Sequence, residues 1–169
     1  MQWADQRSNQ PGRYLASPRT LSFITHDDEV LLLRGAPHKK LWAGLLNGVG
    51  GHIEPGEDIA ASARREIEEE SGLVIADLDL RALVHISGRD HAPGVILFVF
   101  VGYSDSQAVH ASVEGDLAWY PIAALPLAEL VDDLKLLLPR LLARDAPPLI
   151  YGCYVADASG AMAFHFTFA

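Results

Sequence analysis

Residues Gly51 to Leu73 read GHIEPGEDIAASARREIEEESGL and place six glutamates and one aspartate within twenty-three positions. Asp58 is a favoured N-cap residue, Ile59 to Ser71 contains neither glycine nor proline, and Gly72 stands where a left-handed C-terminal cap belongs. The pattern predicts a helix over 59–71. A helix advances about 100° per residue, so Glu66, Glu69 and Glu70 share one face. Ala60, Ala63 and Ile67 form a neighbouring apolar stripe that can seat the helix on a sheet, while Arg64 and Glu68 fall on the outer side as an i, i+4 pair. An arbitrary run of glutamates is most simply a solvated face. Here like charges at helical spacing repel by about 0.2–0.5 kcal/mol per pair, and only Arg65 offers compensation on that side. An oxygen-only donor set of this kind suits Mg²⁺ or Mn²⁺. Without metal, one of the three carboxylates is expected to hold its proton to unusually high pH.

Working outward, Leu21 to Thr25 and Val30 to Leu33 read as two strands joined by the polar turn His26-Asp27-Asp28-Glu29. Asn47-Gly48-Val49-Gly50-Gly51 lets the backbone bend sharply or approach a ligand. Leu78 to Ile86 and Val95 to Val101 are β-rich runs separated by the loop Ser87 to Gly94, and the second is apolar throughout, as in a strand covered on both faces. Trp119-Tyr120 stand before Pro121. Leu127 to Val131 and Leu134 to Leu142 carry helical spacing, with Pro139 expected to kink or divide the second. Leu149 to Val155 and Met162 to Phe168 flank Asp157-Ala158-Ser159-Gly160, a hairpin signal. Strands around one helix, with another helix late in the chain, indicate an α+β or layered α/β/α fold.

The chain has 169 residues, enough for one domain with a sizeable core. Gln6 to Gly12 lack apolar periodicity, so residues 1–17 are expected to be an N-terminal tail and 18–169 a single domain. No apolar run approaches the roughly 20 residues that span a bilayer, and no basic region with a following apolar block opens the chain. A cytoplasmic protein without membrane contact is expected. Cys153 is the only cysteine, which excludes an intramolecular disulfide and a cysteine-rich zinc site. The net charge of −9 argues against binding along a nucleic-acid polymer. A small anionic ligand, reached through divalent metal, remains compatible with it.

Gly51, Glu57, Arg65-Glu66-Ile67, Glu69-Glu70 and Gly72-Leu73 match the Nudix box, GX5EX7REUXEEXGU, at every specified position. The chain therefore resembles the Nudix hydrolase family. The resemblance implies an α/β/α sandwich with a mixed β-sheet and a catalytic loop and helix. It also implies Mg²⁺-dependent hydrolysis of a nucleoside diphosphate linked to another group. Carried over, Glu66, Glu69 and Glu70 become metal ligands, joined by the Gly50 carbonyl. Arg65 and Glu57 orient the helix against its loop. The general base is Glu66 or Glu69. Glu114 is placed to be a further ligand, or an ordinary loop carboxylate.

Beyond the box, Asn47 to Gly51, Trp119, Asp132-Asp133 and the closing hairpin are similar to the MutT branch, and more loosely to its oxidised purine nucleoside triphosphatases. That similarity implies base recognition by Asn47, Asp132 and Asp133, and a nucleoside monophosphate and pyrophosphate as products. A helix N-cap is the alternative role for either aspartate. Leu130-Val131 depart from the aromatic-proline pair of those enzymes. Arg34, Lys39 and Lys40 are candidates to meet phosphates, with surface charge the plainer reading for the lysines. The expected partner is a small nucleotide, and a homodimer is left open. The other readings are hydrolysis of ADP-ribose, a dinucleoside polyphosphate or another capped diphosphate, and a nucleotide-sensing module without turnover.

Overall fold

The computed structural model describes residues 14–39, 41–87, 92–156 and 162–168. The N-terminal stretch Gln6 to Gly12, Lys40, most of the loop after Ser87 and the turn 157–160 lie outside the described residues. Eight strands and two helices follow one another as β1 (Ala16–His26), β2 (Glu29–Gly35), β3 (Leu46–Asn47), α1 (Ile59–Ser71), β4 (Leu78–Ile86), β5 (Gly94–Tyr103), β6 (Gly115–Pro121), α2 (Leu134–Leu141), β7 (Ile150–Ala156) and β8 (Met162–Phe168). One mixed sheet runs β3-β2-β1-β5-β4-β7-β8, and β6 pairs with β2. No helix among the described residues is long and apolar enough to cross a membrane.

Alternation along the strands builds the layers. Val30 and Leu32 of β2 join Leu21, Phe23, Leu134, Leu137, Leu138 and Tyr154 in the core beneath α2. Leu31 and Leu33 turn the other way, to Ile24, Val49, Ile67, Leu73 and Ile75 beneath α1. The sheet is covered on both faces, so the expected α/β/α sandwich is the observed fold.

Helix α1 has the predicted limits. The Asp58 side chain accepts a hydrogen bond from the Ala61 amide at 2.8 Å, and Gly72 closes the helix at φ 78° with its N–H donating to the Glu68 carbonyl. Ala63 and Ile67 are fully buried, as the stripe required. Arg64 reaches the carbonyls of Ile75 and Ala76 instead of Glu68, fastening the segment that leaves the helix. The β1–β2 hairpin, β4 and β5 also fall where the sequence put them. Strand β1 begins two residues before the expected domain boundary, because Ala16 and Ser17 pair with Gly94 and Val95.

Three elements differ from expectation. Leu127–Glu129 is a single 3-10 turn, because Leu130 is extended and the Val131 N–H donates to the Leu46 carbonyl, which diverts the backbone from helix. Pro139 sits inside α2 without dividing it. Strand β6 was not anticipated, yet it pairs with β2 along its whole length, from Glu29–Pro121 to Gly35–Gly115.

Ile67 ties α1 to the sheet with no exposed surface. Ile67→Ala is expected to lower unfolding free energy by about 2–5 kcal/mol, read from urea denaturation followed by circular dichroism.

Candidate active site

Strands β1 and β2 pair only near their turn, from Ile24–Leu31 to His26–Glu29, and then separate. The chain from Leu46 to His52 fills the opening. Asn47 and Leu46 pair with Leu33 and Arg34 of β2, and Val49 and Gly51 then hydrogen-bond to Ser22 and Thr20 of β1. The glycines make this approach feasible. Gly50 has φ 152°, and a Cβ there would collide with the Thr20 carbonyl; a Cβ on Gly51 would enter the Glu66 carboxylate. The loop is thus pressed against the acidic face of α1. The Gly50 amide donates to Glu70 Oε2 at 3.0 Å.

Arg65 organises the other glutamates. Its Nε and Nη2 form a two-pronged pair with Glu57 at 3.1 and 2.7 Å, and its Nη1 donates to Glu66 at 2.9 Å and Glu69 at 3.1 Å. Nη2 also donates to the His52 carbonyl, so it is the backbone of His52 that serves the site. These hydrogen bonds hold the Glu57 carboxyl down at about 2, Arg65 first and the Glu54 amide second, and they raise the Arg65 pKa. From the sequence, Arg65 is expected to pair with Glu57 and to offer the one compensating charge on the Glu66 side. The structure extends that clamp to two of the three glutamates on the face.

Glu70 is the exception, only 8 % exposed and without an arginine. Burial pushes its pKa up to about 7 against the Gly50 hydrogen bond; Glu66 and Glu114 add to the rise, and Lys39 opposes it. The carboxylate expected to keep its proton is therefore Glu70. Glu114 does approach this face, with Lys39 Nζ donating to it at 2.5 Å.

Among the described residues, no three carboxylate, histidine or cysteine groups converge on a single point. Arg65 holds Glu66 and Glu69, and Lys39 holds Glu114. The donor chemistry still fits a hard divalent cation, since every donor on this face is oxygen and Glu70 lies buried beside Glu66 and Glu114 with little compensating positive charge.

A cavity of about 310 Å³ opens beside Glu70 and Gly50. Asn47 and Asp133 line it, as do Arg19, Thr20, Lys39 and Trp42. Asn47 Oδ1 accepts from the Gly48 amide at 2.9 Å, which fixes the side-chain amide in place. Asp133 occupies the N-cap position of α2 yet makes no capping hydrogen bond, and burial raises its pKa. Asp132 is separated from its neighbour: its side chain is 79 % exposed and pairs with Lys135 at 2.7 Å. Arg34 lies outside the cavity lining. Its Nη2 donates to Glu129 at 2.6 Å and its Nη1 to the Gly44 carbonyl. Trp119 packs under α1 and donates to the Gln107 carbonyl.

Trp42, Arg19 and Thr20 were missed. Among the described residues, Trp42 is the only aromatic one lining the cavity, 43 % exposed and held at φ 59°, a left-handed conformation uncommon for a bulky residue. A lone tryptophan close to Gly44 in a short apolar run was the available signal. Arg19 and Thr20 gave none, because only the register of β1 brings them to the cavity.

The NUDIX domain family model matches residues 17–141. The oxidized purine nucleoside triphosphate hydrolase of Danio rerio is 32% identical over 135 residues, covering 73% of this chain and 78% of that protein. The 8-oxo-dGDP phosphatase NUDT18 of Homo sapiens is 33% identical over 109 residues; the match covers 62% of this chain but 32% of that much longer protein. In structure, the mutator MutT protein from Bacillus halodurans aligns with a TM-score of 0.71 at 21% identity, covering 89% of this chain and 97% of that one.

Because Glu57 is held below its ordinary 4.5, the stability from its contacts is present above about 4.5 and lost as pH falls towards 2. Glu57→Gln should lower the urea midpoint at neutral pH, with the gap to wild type closing between about pH 4.5 and 2. A gap that stays constant over that range would remove Glu57 from the clamp.

Proposed function

This chain belongs to the NUDIX family of pyrophosphohydrolases, and on that premise we propose that it hydrolyses a purine nucleoside triphosphate, preferably one with an oxidised base, to the monophosphate and pyrophosphate. The observation that carries this reading is the cavity, because Glu70 and Gly50 line it together with Asn47, Asp133 and Trp42. Its volume of about 310 Å³ is at the low end of ligand sites, which run to roughly 300–1,000 Å³. That size suits a nucleoside, with the phosphates directed to the glutamate face.

Glu66, Glu69, Glu70 and the Gly50 carbonyl would hold a divalent cation, with Glu114 reaching from the loop before β6. Mg²⁺ fits the donor set best and Mn²⁺ can replace it. When bound, such an ion polarises a phosphoryl oxygen and favours ionisation of water. The chain's own residues do the remaining work. Arg65 holds the Glu66 and Glu69 carboxylates in fixed directions, so that one of them accepts the proton of the attacking water. Lys39 and Arg19, the cations of the cavity wall, meet the phosphates. Within the cavity Trp42 offers a face for stacking the base and Asn47 its amide. Asp133, whose burial favours the neutral acid, donates to a keto oxygen. Base reading thus rests on Asn47 and Asp133, with Asp132 outside it. The Danio rerio relative supports this substrate class by the activity in its name.

The test is product analysis after incubation with Mg²⁺ and 8-oxo-dGTP, dGTP, 8-oxo-dGDP, ADP-ribose or diadenosine polyphosphates. Monophosphate and pyrophosphate from the triphosphates is the expected result. Orthophosphate from 8-oxo-dGDP alone, or cleavage of ADP-ribose alone, would move the chain to another substrate class. Glu69→Gln should lower kcat by about 10²-fold or more with an unchanged circular dichroism spectrum; near wild-type turnover at saturating metal would remove Glu69 from the reaction. Trp42→Ala should weaken binding of the monophosphate product by roughly 5- to 150-fold in calorimetry, as expected for one base–aromatic stack of about 1–3 kcal/mol. Unchanged affinity would show that the base lies elsewhere.

A further inference from the structure

Tyr154 on β7 is 2 % exposed, and its ring stands edge-on to Phe164 at 4.9 Å and to Phe166 at 5.9 Å. It belongs to the core beneath α2, where phenylalanine would fill the same space. Its hydroxyl is buried and closes no hydrogen bond of normal length and angle among the described residues. A buried hydroxyl in that state is a net cost to the fold, so packing alone does not explain a tyrosine here. The hydroxyl lies beside the Asp133 carboxylate, close enough for each to perturb the other. Asp133 likewise makes no capping hydrogen bond for α2, while its neighbour Asp132 is turned outward to Lys135. The Tyr154 hydroxyl from β7 and the Asp133 carboxyl at the start of α2 therefore meet in the core, and Asp133 also lines the cavity.

We propose that Tyr154 is a positioning residue for base recognition, its hydroxyl donating to one oxygen of the Asp133 carboxyl so that the other oxygen, carrying the proton, faces the base. This inference rests on the assignment of Asp133 to base reading. Chemically, a neutral carboxyl has one good acceptor oxygen and one donor O–H. A fixed donor behind it occupies the acceptor and leaves the O–H to point forward. Burial raises the Tyr154 pKa far above its ordinary value, so the phenol remains a donor throughout the working pH range.

The experiment compares Tyr154→Phe, Asp133→Ala and the double variant in the full chain, using the nucleotide that wild type turns over fastest. Tyr154→Phe is expected to raise KM about tenfold, the size of one hydrogen bond, with kcat within about twofold of wild type. Its urea midpoint should equal or exceed that of wild type, a result that a merely structural role would not give. In the Asp133→Ala background, Tyr154→Phe should have no further effect on KM. Three results would overturn the proposal: KM unchanged in Tyr154→Phe, the same KM penalty without Asp133, or a lowered urea midpoint that accounts for the loss. Wild-type protein that turns over no nucleotide would overturn the proposed function and this inference together. An active wild type with an unaltered Tyr154→Phe would overturn this inference alone.

Discussion

The separation of β1 from β2 beyond the Ile24–Leu31 pair is the constraint on which the site depends. Two strands that part leave backbone donors and acceptors that must find partners, and the chain from Leu46 to His52 supplies them. That requirement holds a glycine-rich loop at a fixed height above α1. Gly50 then reaches Glu70, and Gly51 lies directly under the Glu66 carboxylate. The same insertion sets Asn47 in the lining of the cavity that Glu70 also lines. The acidic face and Asn47 are thus joined by a short length of hydrogen-bonded backbone.

Electrostatics divides the glutamates of α1 into two kinds. Glu66 and Glu69 share Arg65 with Glu57, so their repulsion is already offset and their directions are set. Glu70 has only a backbone amide and the more distant Lys39 against burial and two acidic neighbours. The helix therefore carries one carboxylate poised near neutrality beside two that are already paired. The difference comes from depth: Glu69 is largely exposed, whereas Glu70 is sunk between helix and loop.

Much of the fold could be read from local chemistry. The ends of α1 follow from Asp58 and Gly72, each acting on backbone groups within a few residues. The β1–β2 hairpin follows from a polar turn between apolar runs, and β4 and β5 from their β-rich composition. Strand β6 could not be read in this way, because Gly115 to Pro121 is short, carries Asp116 and ends in proline, and owes its conformation to pairing with β2. The turn at Leu127–Glu129 failed for the converse reason: helical spacing was present, but Leu130 and Val131 are used to meet Leu46.

For the site, the sequence by itself determined the acidic face of α1, since helical periodicity is a local property, while the Arg65–Glu57 pair came from the resemblance of the box to its family. Only the tertiary structure decided which charges belong to the cavity. Asp132 and Asp133 are adjacent and alike in sequence, yet the way α2 seats on the sheet buries one and leaves the other to Lys135. Arg34 pairs with Glu129 because of its register on β2, while Trp42 lines the cavity and Tyr154 lies in the core beside Asp133. Those assignments are set by packing between elements far apart in sequence, whose contacts leave no local periodicity to read.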